Sequence, residues 1–146
     1  MREGAKPNET QEGPMAVSLI AVDVDGTLLN SRGEITAATR AAFQEAADRG
    51  IALALSTGRA RDECGYILQA LPGIRYMINC SGASVYDARA EQELYAGGIP
   101  MDTIRDLYRR VADLDCLFEP MADGHVYVDQ DRFSKLSEYQ NHYYIA

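Results

Sequence analysis

The stretch AVSLIAVDVDGT, residues 16–27, decides the fold of this chain. Aliphatic and β-branched residues fill its first part, and two aspartates, Asp23 and Asp25, stand near its end. A short apolar run of this kind predicts a strand over residues 16–24 that is buried on both faces of a parallel sheet. Turn-forming residues follow, so both aspartates are predicted at the carboxyl end of that strand.

Helices and strands alternate after this first strand. Residues 37–49 are mostly good helix formers, between a capping residue, Thr36, and a terminating glycine, Gly50. The sequence then predicts a second strand over 51–55, a second helix over 60–71 and a third strand over 74–78. Short connections of this kind require right-handed crossovers, so the predicted fold class is α/β with a Rossmann-like, doubly wound parallel sheet.

The pattern changes near Gly82, where we place a domain boundary between residues 83 and 84. A hairpin, a helix with one apolar face, a second strand pair and a final helix are predicted to follow. Their ranges are 84–86 with 93–96, 101–112, 116–119 with 125–129, and 133–144. The predicted organisation is a disordered tail over 1–15, an α/β core over 16–83 and an antiparallel α+β module over 84–146.

The negative net charge of the chain disfavours some classes of binding partner. Its 22 acidic and 14 basic residues give a formal net charge of −8 at pH 7. Nucleic acids and anionic membranes attract basic surfaces, so we expect neither as a partner. The cysteines Cys64, Cys80 and Cys116 have no metal-ligand spacing, and the first residues do not form a secretory signal. We therefore expect a cytoplasmic protein with reduced thiols.

The predicted chemistry is carried by Asp23 and Asp25, in the motif DVDGT. Ligands gather at the carboxyl ends of strands in open α/β sheets, and two carboxylates there can divide the work of phosphoryl transfer. One attacks phosphorus and forms an acyl phosphate, while the other protonates the leaving oxygen and then activates water. Gly26 lets the backbone approach the phosphate, and crowding of the carboxylates requires a cation, for which Mg²⁺ is suited. A calcium-type loop or a plain acidic turn is the alternative, and the apolar strand before the motif favours phosphoryl transfer.

A second candidate motif, STGR, follows the second predicted strand, so we expect it at the same sheet edge as Asp23. The Thr57 hydroxyl can hydrogen-bond a phosphoryl oxygen, and Gly58 is predicted to open a helix N-terminus, which favours anions. A simple helix cap by Ser56 or Thr57 is the alternative. Arg59 is a candidate contact for the substrate or for the second module, with a solvated arginine as the alternative.

Three motifs in this order resemble the Cof-type branch of the haloacid dehalogenase (HAD) superfamily, whose members carry a C2-type cap: DVDGTLLN, STGR and NCSGASVYD. The resemblance covers nearly everything from residue 17 onward. It implies that Asp23 is the nucleophile and a magnesium ligand, and that Asp25 is the general acid/base and offers its backbone carbonyl to the metal. It also implies that Thr57 binds phosphate and that 84–146 begin the cap.

Two departures from the family pattern stand out. The family usually has asparagine where this chain has Ser81, which is a further candidate contact for substrate or cap. The family also needs a lysine and an acidic pair after the cap, whereas lysine occurs here only at Lys6 and Lys135. We therefore expect the N-terminal part of a HAD protein, with core and cap both incomplete. Such a chain is expected to turn over poorly and to expose an apolar strand edge suited to self-association.

The sequence thus predicts a Mg²⁺-dependent phosphate monoester hydrolase that acts through an aspartyl phosphate. The expected partner is a sugar phosphate or another small phosphorylated metabolite. A phosphomutase of the same superfamily is one alternative, because it shares the DVDGT chemistry and passes the phosphoryl group back to a sugar. A non-catalytic remnant that acts as an interaction module through its exposed sheet edge is the other alternative.

Overall fold

The computed structural model describes residues 17–135, which form one mixed sheet with helices and a short second sheet. The five strands of the main sheet follow chain order: β1 Leu19–Val22, β2 Ala52–Ser56, β3 Ile74–Asn79, β4 Ser84–Asp87 and β5 Gln92–Ala96. The helices are α1 Ala37–Asp48, α2 Gly65–Ala70 and α3 Met101–Val111. The second sheet pairs β6 Met121–Ala122 with β7 His125–Val126.

The first three strands are parallel, as predicted, and α1 and α2 connect them. Helix α1 begins after Thr36, whose Oγ1 accepts a hydrogen bond of 3.1 Å from the backbone N–H of Thr39. The chain leaves the helix at Gly50, with φ of +77°. Because the strands are parallel, their carboxyl ends lie at one edge of the sheet. The α/β fold class is therefore confirmed.

The hydrophobic core lies next to the carboxyl ends of the parallel strands. Its largest fully buried side chains come from β2, from β3, from α2 and from the turns between them and after β1: Leu53, Leu55, Ile67, Met77, Val24, Asn79 and Cys64. Strand β1 differs, because Leu19 is 48% and Ile20 36% exposed. Among the described strands β1 pairs only with β2, so the prediction of burial on both faces is wrong here. The expected exposed apolar edge is present instead.

The second predicted helix begins later than the sequence indicates. A 3₁₀ turn spans Asp62–Cys64 and α2 follows, so the prediction that Gly58 opens a helix is wrong. Thr57 to Arg59 instead bond to the end of β3: the N–H of Cys80 donates to the carbonyl of Arg59 at 3.0 Å. The loop after β2 is thus fixed by tertiary hydrogen bonds rather than by a helix.

The predicted hairpin is present as β4 and β5, but it extends the core sheet. Strand β4 pairs antiparallel with β3, and Asn79 faces Ser84 in that register. The predicted boundary between residues 83 and 84 therefore falls between two hydrogen-bonded neighbours of one sheet. The division into a core and a cap domain stays a prediction.

The segment after the sheet contains α3 and the short β6–β7 hairpin. The prediction of strand at 116–119 is wrong, because the strand that pairs with β7 is β6, Met121–Ala122. The carbonyls of Leu114 and Cys116 instead accept hydrogen bonds from the Arg132 guanidinium at 3.0 and 2.7 Å. The predicted final helix is observed as a 3₁₀ segment over Gln130–Lys135, and the rest of it lies outside the described residues. No helix within residues 17–135 has the length and apolarity to cross a membrane.

Candidate active site

The candidate site lies where the three parallel strands end. Val22 of β1 is in register with Leu55 of β2, so the next residue, Asp23, lies beside the end of β2. Ser56 of β2 is in register with Ile78 of β3. The register therefore brings together the motifs that follow β1, β2 and β3.

The DVDGT motif forms a tight turn that is held by a backbone hydrogen bond and by one buried side chain. The backbone N–H of Leu28 donates to the carbonyl of Asp23 at 3.1 Å, and Val24 is completely buried in the core. Asp23 itself is exposed. Among residues 17–135, no side chain pairs with its carboxylate. The turn thus presents Asp23 to solvent while the next side chain, Val24, is packed in the core.

Gly26 has a conformation that other residues adopt with strain, with φ of +76°. A Cβ at this position would meet nothing within 4 Å. The backbone is therefore open to the close approach of a ligand, and the role of Gly26 near a phosphate stays a prediction.

Asp25 and Arg59 form the strongest polar contact of the site. Arg59 donates from Nε and Nη2 to the two carboxylate oxygens of Asp25, at 2.9 and 2.8 Å. The arginine side chain is 7% exposed and the aspartate side chain 30%. The hydrogen bond to Asp25 raises the pKa of Arg59 above its ordinary value, which is already high, so the guanidinium stays charged. The alternative of a solvated Arg59 is therefore wrong.

Thr57 is 5% exposed and lies at the end of β2. Its Oγ1 accepts a hydrogen bond of 3.2 Å from the backbone N–H of Arg59. An accepting hydroxyl keeps its own proton available, so Thr57 can still donate to an anion. The threonine thus turns the loop locally and retains the ability that its predicted phosphate-binding role needs.

The end of β3 completes the cluster. Cys80 and Ser81 both have left-handed backbone conformations, with φ of +51° and +55°. The N–H of Ser81 donates to the carbonyl of Thr57 at 3.1 Å. A Cβ on the exposed Gly58 would lie 3.5 Å from the Ser81 hydroxyl, so these two candidate residues are neighbours.

Asn79 was not predicted as a functional residue. It is completely buried, and its Nδ2 donates to the carbonyl of Arg59 at 3.1 Å. The sequence contains one signal for it, namely an amide at the end of the predicted strand, two residues after Met77. The partner of that amide lies 20 residues away, so only the fold reveals the contact.

Two oxygen donors of the DVDGT motif are the predicted ligands of Mg²⁺, and the metal site stays a prediction. Within residues 17–135 no group of three or more His, Cys, Asp or Glu side chains is placed to hold a metal ion. The Asp23 carboxylate and the backbone carbonyl of Asp25 are two oxygen ligands of the kind Mg²⁺ prefers. Mg²⁺ often uses only one or two carboxylates together with water and phosphate oxygens, so these ligands fit the ion.

A parallel α/β sheet whose first strand ends in an exposed aspartate within DVDGT is typical of proteins that transfer phosphoryl groups through aspartate. Residues 20–146 match the family model of haloacid dehalogenase-like hydrolases, and the chain belongs to this family. The resemblance drawn from the three motifs is thereby confirmed.

Two curated relatives and one solved structure illustrate the match. A 5-amino-6-(5-phospho-D-ribitylamino)uracil phosphatase of Bacillus subtilis is 35% identical over 78 residues, 53% of this chain and 31% of its own. The pyridoxal phosphate phosphatase of Escherichia coli is 32% identical over 115 residues, 79% of this chain and 40% of its own. A haloacid dehalogenase-like hydrolase of Bacteroides thetaiotaomicron superposes with a TM-score of 0.74 at 19% identity, over 84% of this chain and 47% of that one. The chain thus spans less than half the length of each.

Proposed function

We propose that this chain supplies the nucleophile and the general acid/base of a Mg²⁺-dependent phosphate monoester hydrolase. The substrate class is a sugar phosphate or another small phosphorylated metabolite. One observation carries the proposal: the two aspartates of DVDGT lie in opposite electrostatic surroundings. Asp23 is exposed without a cationic partner in the described chain, and Asp25 is held by the buried guanidinium of Arg59.

The different surroundings suit different roles. In the first step a carboxylate oxygen of Asp23 attacks phosphorus, and the alcohol leaves with a proton from Asp25. In the second step Asp25 takes a proton from water, which hydrolyses the aspartyl phosphate and releases inorganic phosphate. Arg59 orients the Asp25 carboxylate for both transfers, because it bonds both carboxylate oxygens.

Further groups at the sheet edge are suited to holding the phosphoryl oxygens. The Thr57 hydroxyl can donate to one of them, the backbone of Gly26 is open to their approach, and Gly58 is exposed beside the Ser81 hydroxyl. The Asp23 carboxylate and the Asp25 carbonyl would hold Mg²⁺. The ion, when bound, neutralises charge between the nucleophile and the phosphate.

The relatives support the phosphatase class. The two curated relatives described above are named as phosphatases of small phosphorylated compounds. Because the chain covers less than half of each relative, the activity is proposed for a protein that has this chain together with the counterpart of the relatives' remaining length.

The test is Mg²⁺-dependent release of inorganic phosphate from an aryl phosphate. The assay compares this chain, a form extended through any downstream reading frame, and the Asp23→Asn variant of each. We expect activity in the extended form and a loss of at least about 10³-fold on Asp23→Asn, because the nucleophile is removed. The matched control is Asp48→Asn, on an exposed position of α1.

Three outcomes of this assay would change the proposal. Full activity of Asp23→Asn contradicts it, because another group must then attack phosphorus. Transfer of the phosphoryl group to a sugar without release of inorganic phosphate would indicate a phosphomutase. If this chain alone is active and loses its activity on Asp23→Asn, the described residues or a second subunit must supply the charges that the family's lysine and acidic pair provide.

A second candidate function is favoured by the exposed edge of β1. Leu19, the first residue of β1, is 48% exposed and Val17 is 61% exposed, and β1 pairs on one side only in the described sheet. Open apolar edges pair with other strands, and a second copy of this chain is a ready partner. Sedimentation should then show a dimer that persists in Asp23→Asn and dissociates in Leu19→Lys. A monomer at all concentrations would rule out this candidate.

A further inference from the structure

The last residue of β3, Asn79, lies inside the core rather than at the solvent-facing edge of the site. It is 0% exposed and shares the buried face of its strand with Met77, two residues earlier. Buried side chains on that face are otherwise apolar. A polar amide at this place therefore requires a specific partner.

That partner is the backbone of Arg59. Asn79 Nδ2 donates to the Arg59 carbonyl at 3.1 Å, and the N–H of Cys80 donates to the same oxygen at 3.0 Å. The sulfur of Cys64 lies 3.7 Å from Nδ2, and burial raises the pKa of this thiol to about 11. The carbonyl fixes the orientation of the amide, since a flipped amide would bring two oxygens together.

The contact continues from Arg59 to Asp25. The backbone of Arg59 is held at its N–H by Thr57 and at its carbonyl by Asn79. Its guanidinium in turn holds both carboxylate oxygens of Asp25. Asn79 and Asp25 are thus joined through one buried arginine.

The other end of the amide shows that Asn79 does not serve packing alone. Its Oδ1 is buried and has no hydrogen-bond partner among the described residues. A buried acceptor without a partner is destabilising, and an apolar side chain of similar volume would avoid it. The favourable part of the amide is therefore its donor, which is directed at Arg59.

We propose that Asn79 is a positioning residue that, through Arg59, fixes the Asp25 carboxylate in the site. The catalytic consequence rests on the proposed function, in which Asp25 exchanges protons with the leaving oxygen and with water. The structural consequence does not rest on it. Loss of the Asn79 donor leaves the Arg59 carbonyl with the Cys80 N–H as its remaining donor and weakens the positioning of the guanidinium against Asp25.

The structural consequence is tested by NMR on the chain itself. The Nε–H of Arg59, buried and bonded to Asp25, should give a slowly exchanging signal, and Asp25→Asn should assign it by its disappearance or shift. In Asn79→Ala we expect exchange at least tenfold faster. The control is Met77→Ala, which also truncates a completely buried side chain on β3 and leaves the Arg59 contact in place.

A second variant covers the case in which truncation unfolds the chain. Asn79→Leu keeps the branched, four-atom shape of the side chain, removes the donor and should accelerate the same exchange. Unchanged exchange in a folded Asn79→Leu or Asn79→Ala variant overturns the proposal. An equal acceleration in Met77→Ala also overturns it, because general loosening would then explain the effect.

The catalytic consequence is tested on the active extended form with two substrates. An alkyl phosphate needs a proton on its leaving oxygen, whereas an activated aryl phosphate leaves as a stable anion. Asn79→Leu should lower kcat for the alkyl phosphate at least tenfold more than for the aryl phosphate, with little change in KM. Equal losses on both substrates would refute a role through Asp25. If wild-type protein hydrolyses neither, the proposed function fails, and the NMR measurement alone decides the positioning role.

Discussion

The loops at the carboxyl edge of β1–β3 and the segment over residues 97–135 are built differently. In the edge loops, backbone groups bond across strands: the N–H of Thr57 donates to Ile78 at 2.9 Å and that of Cys80 to Arg59 at 3.0 Å. Buried side chains such as Val24 and Cys64 anchor these loops in the core. The site is therefore part of the best-packed region of the described chain.

The later segment packs loosely by comparison. Helix α3 buries none of its residues completely, and its ion pairs, such as Arg110 with Asp106, are exposed. Its apolar contacts include the Tyr108 and Phe118 rings, with centroids 5.9 Å apart beside an open groove of about 480 Å³. Its local order depends more on the helix itself and on short-range contacts.

The two regions meet at the turn of the β6–β7 hairpin. The Asp62 N–H donates to the carbonyl of Gly124 at 3.0 Å, and His125 Nδ1 lies 2.9 Å from Asp62 Oδ2. The Arg61 guanidinium lies over the Tyr86 ring at 4.3 Å and donates to the Asp123 carbonyl at 2.9 Å. The hairpin is thus attached to the residues that directly follow the STGR motif, and its position depends on these contacts with the core. The edge loops, in contrast, are held by hydrogen bonds between the ends of β2 and β3.

The largest difference between the regions should appear in matched leucine truncations. Leu55→Ala removes a completely buried side chain of β2 and should lower the free energy of unfolding by about 2–5 kcal/mol. Leu107→Ala, on α3 at 39% exposure, should cost about 1 kcal/mol or less. Urea unfolding followed by circular dichroism measures both. Equal losses would show that α3 is packed as tightly as the sheet.

A glycine substitution tests the attachment of the hairpin. Gly124 has φ of +87°, and a Cβ there would lie 2.6 Å from Arg61 Nη2. Gly124→Ala should strain the turn by about 1 kcal/mol and displace the guanidinium. We expect faster amide exchange at Asp62, while β1–β3 keep their protection.

The matched control for this experiment is Gly98→Ala. Gly98 has open space around the added Cβ, and its φ lies outside the left-handed region. The Gly98→Ala substitution should leave the amide exchange rate at Asp62 unchanged. Faster exchange throughout the β1–β3 amides in Gly124→Ala would mean that the hairpin contributes to the stability of the core.

The smallest expected difference is in acid sensitivity. Hydrogen bonds from Arg75 lower the pKa of Asp87, whose side chain is 5% exposed at the end of β4. A carboxyl with a lowered pKa in the folded state contributes stability above its unfolded pKa of about 3.9, and loses it as the pH falls through the folded value. The urea concentration at the unfolding midpoint of the wild type should therefore decrease when the pH is lowered from 5 to 3. The Asp87→Asn variant should show a smaller decrease.

The comparison for Asp87 is Asp102→Asn on α3. The Asp102 side chain is 95% exposed in its pair with Arg105, and surface pairs of this kind contribute little to stability. Its acid sensitivity should match that of the wild type. An Asp87→Asn variant with wild-type acid sensitivity would show that Asp87 does not lower the stability of the chain at acidic pH.

The sequence predicted what local patterns and register determine. Apolar runs placed β1–β3, capping residues placed α1, and parallel order brought Asp23 and Thr57 to one edge. It failed where hydrogen bonds between distant segments override local preference. Gly58 does not open a helix, because the carbonyl of Arg59 is bonded to Asn79 and Cys80 at the end of β3.

By itself, then, the sequence determined the family, the α/β class and the aspartates on which the proposed chemistry rests. These depend on residue types within short motifs and on periodicities along one strand or helix. Only the tertiary structure decided that Arg59 is buried against Asp25, that Asn79 holds Arg59, and that the 84–96 hairpin joins the core sheet. Each of these is a contact between segments that only folding brings together, and its geometry depends on packing that no local pattern encodes.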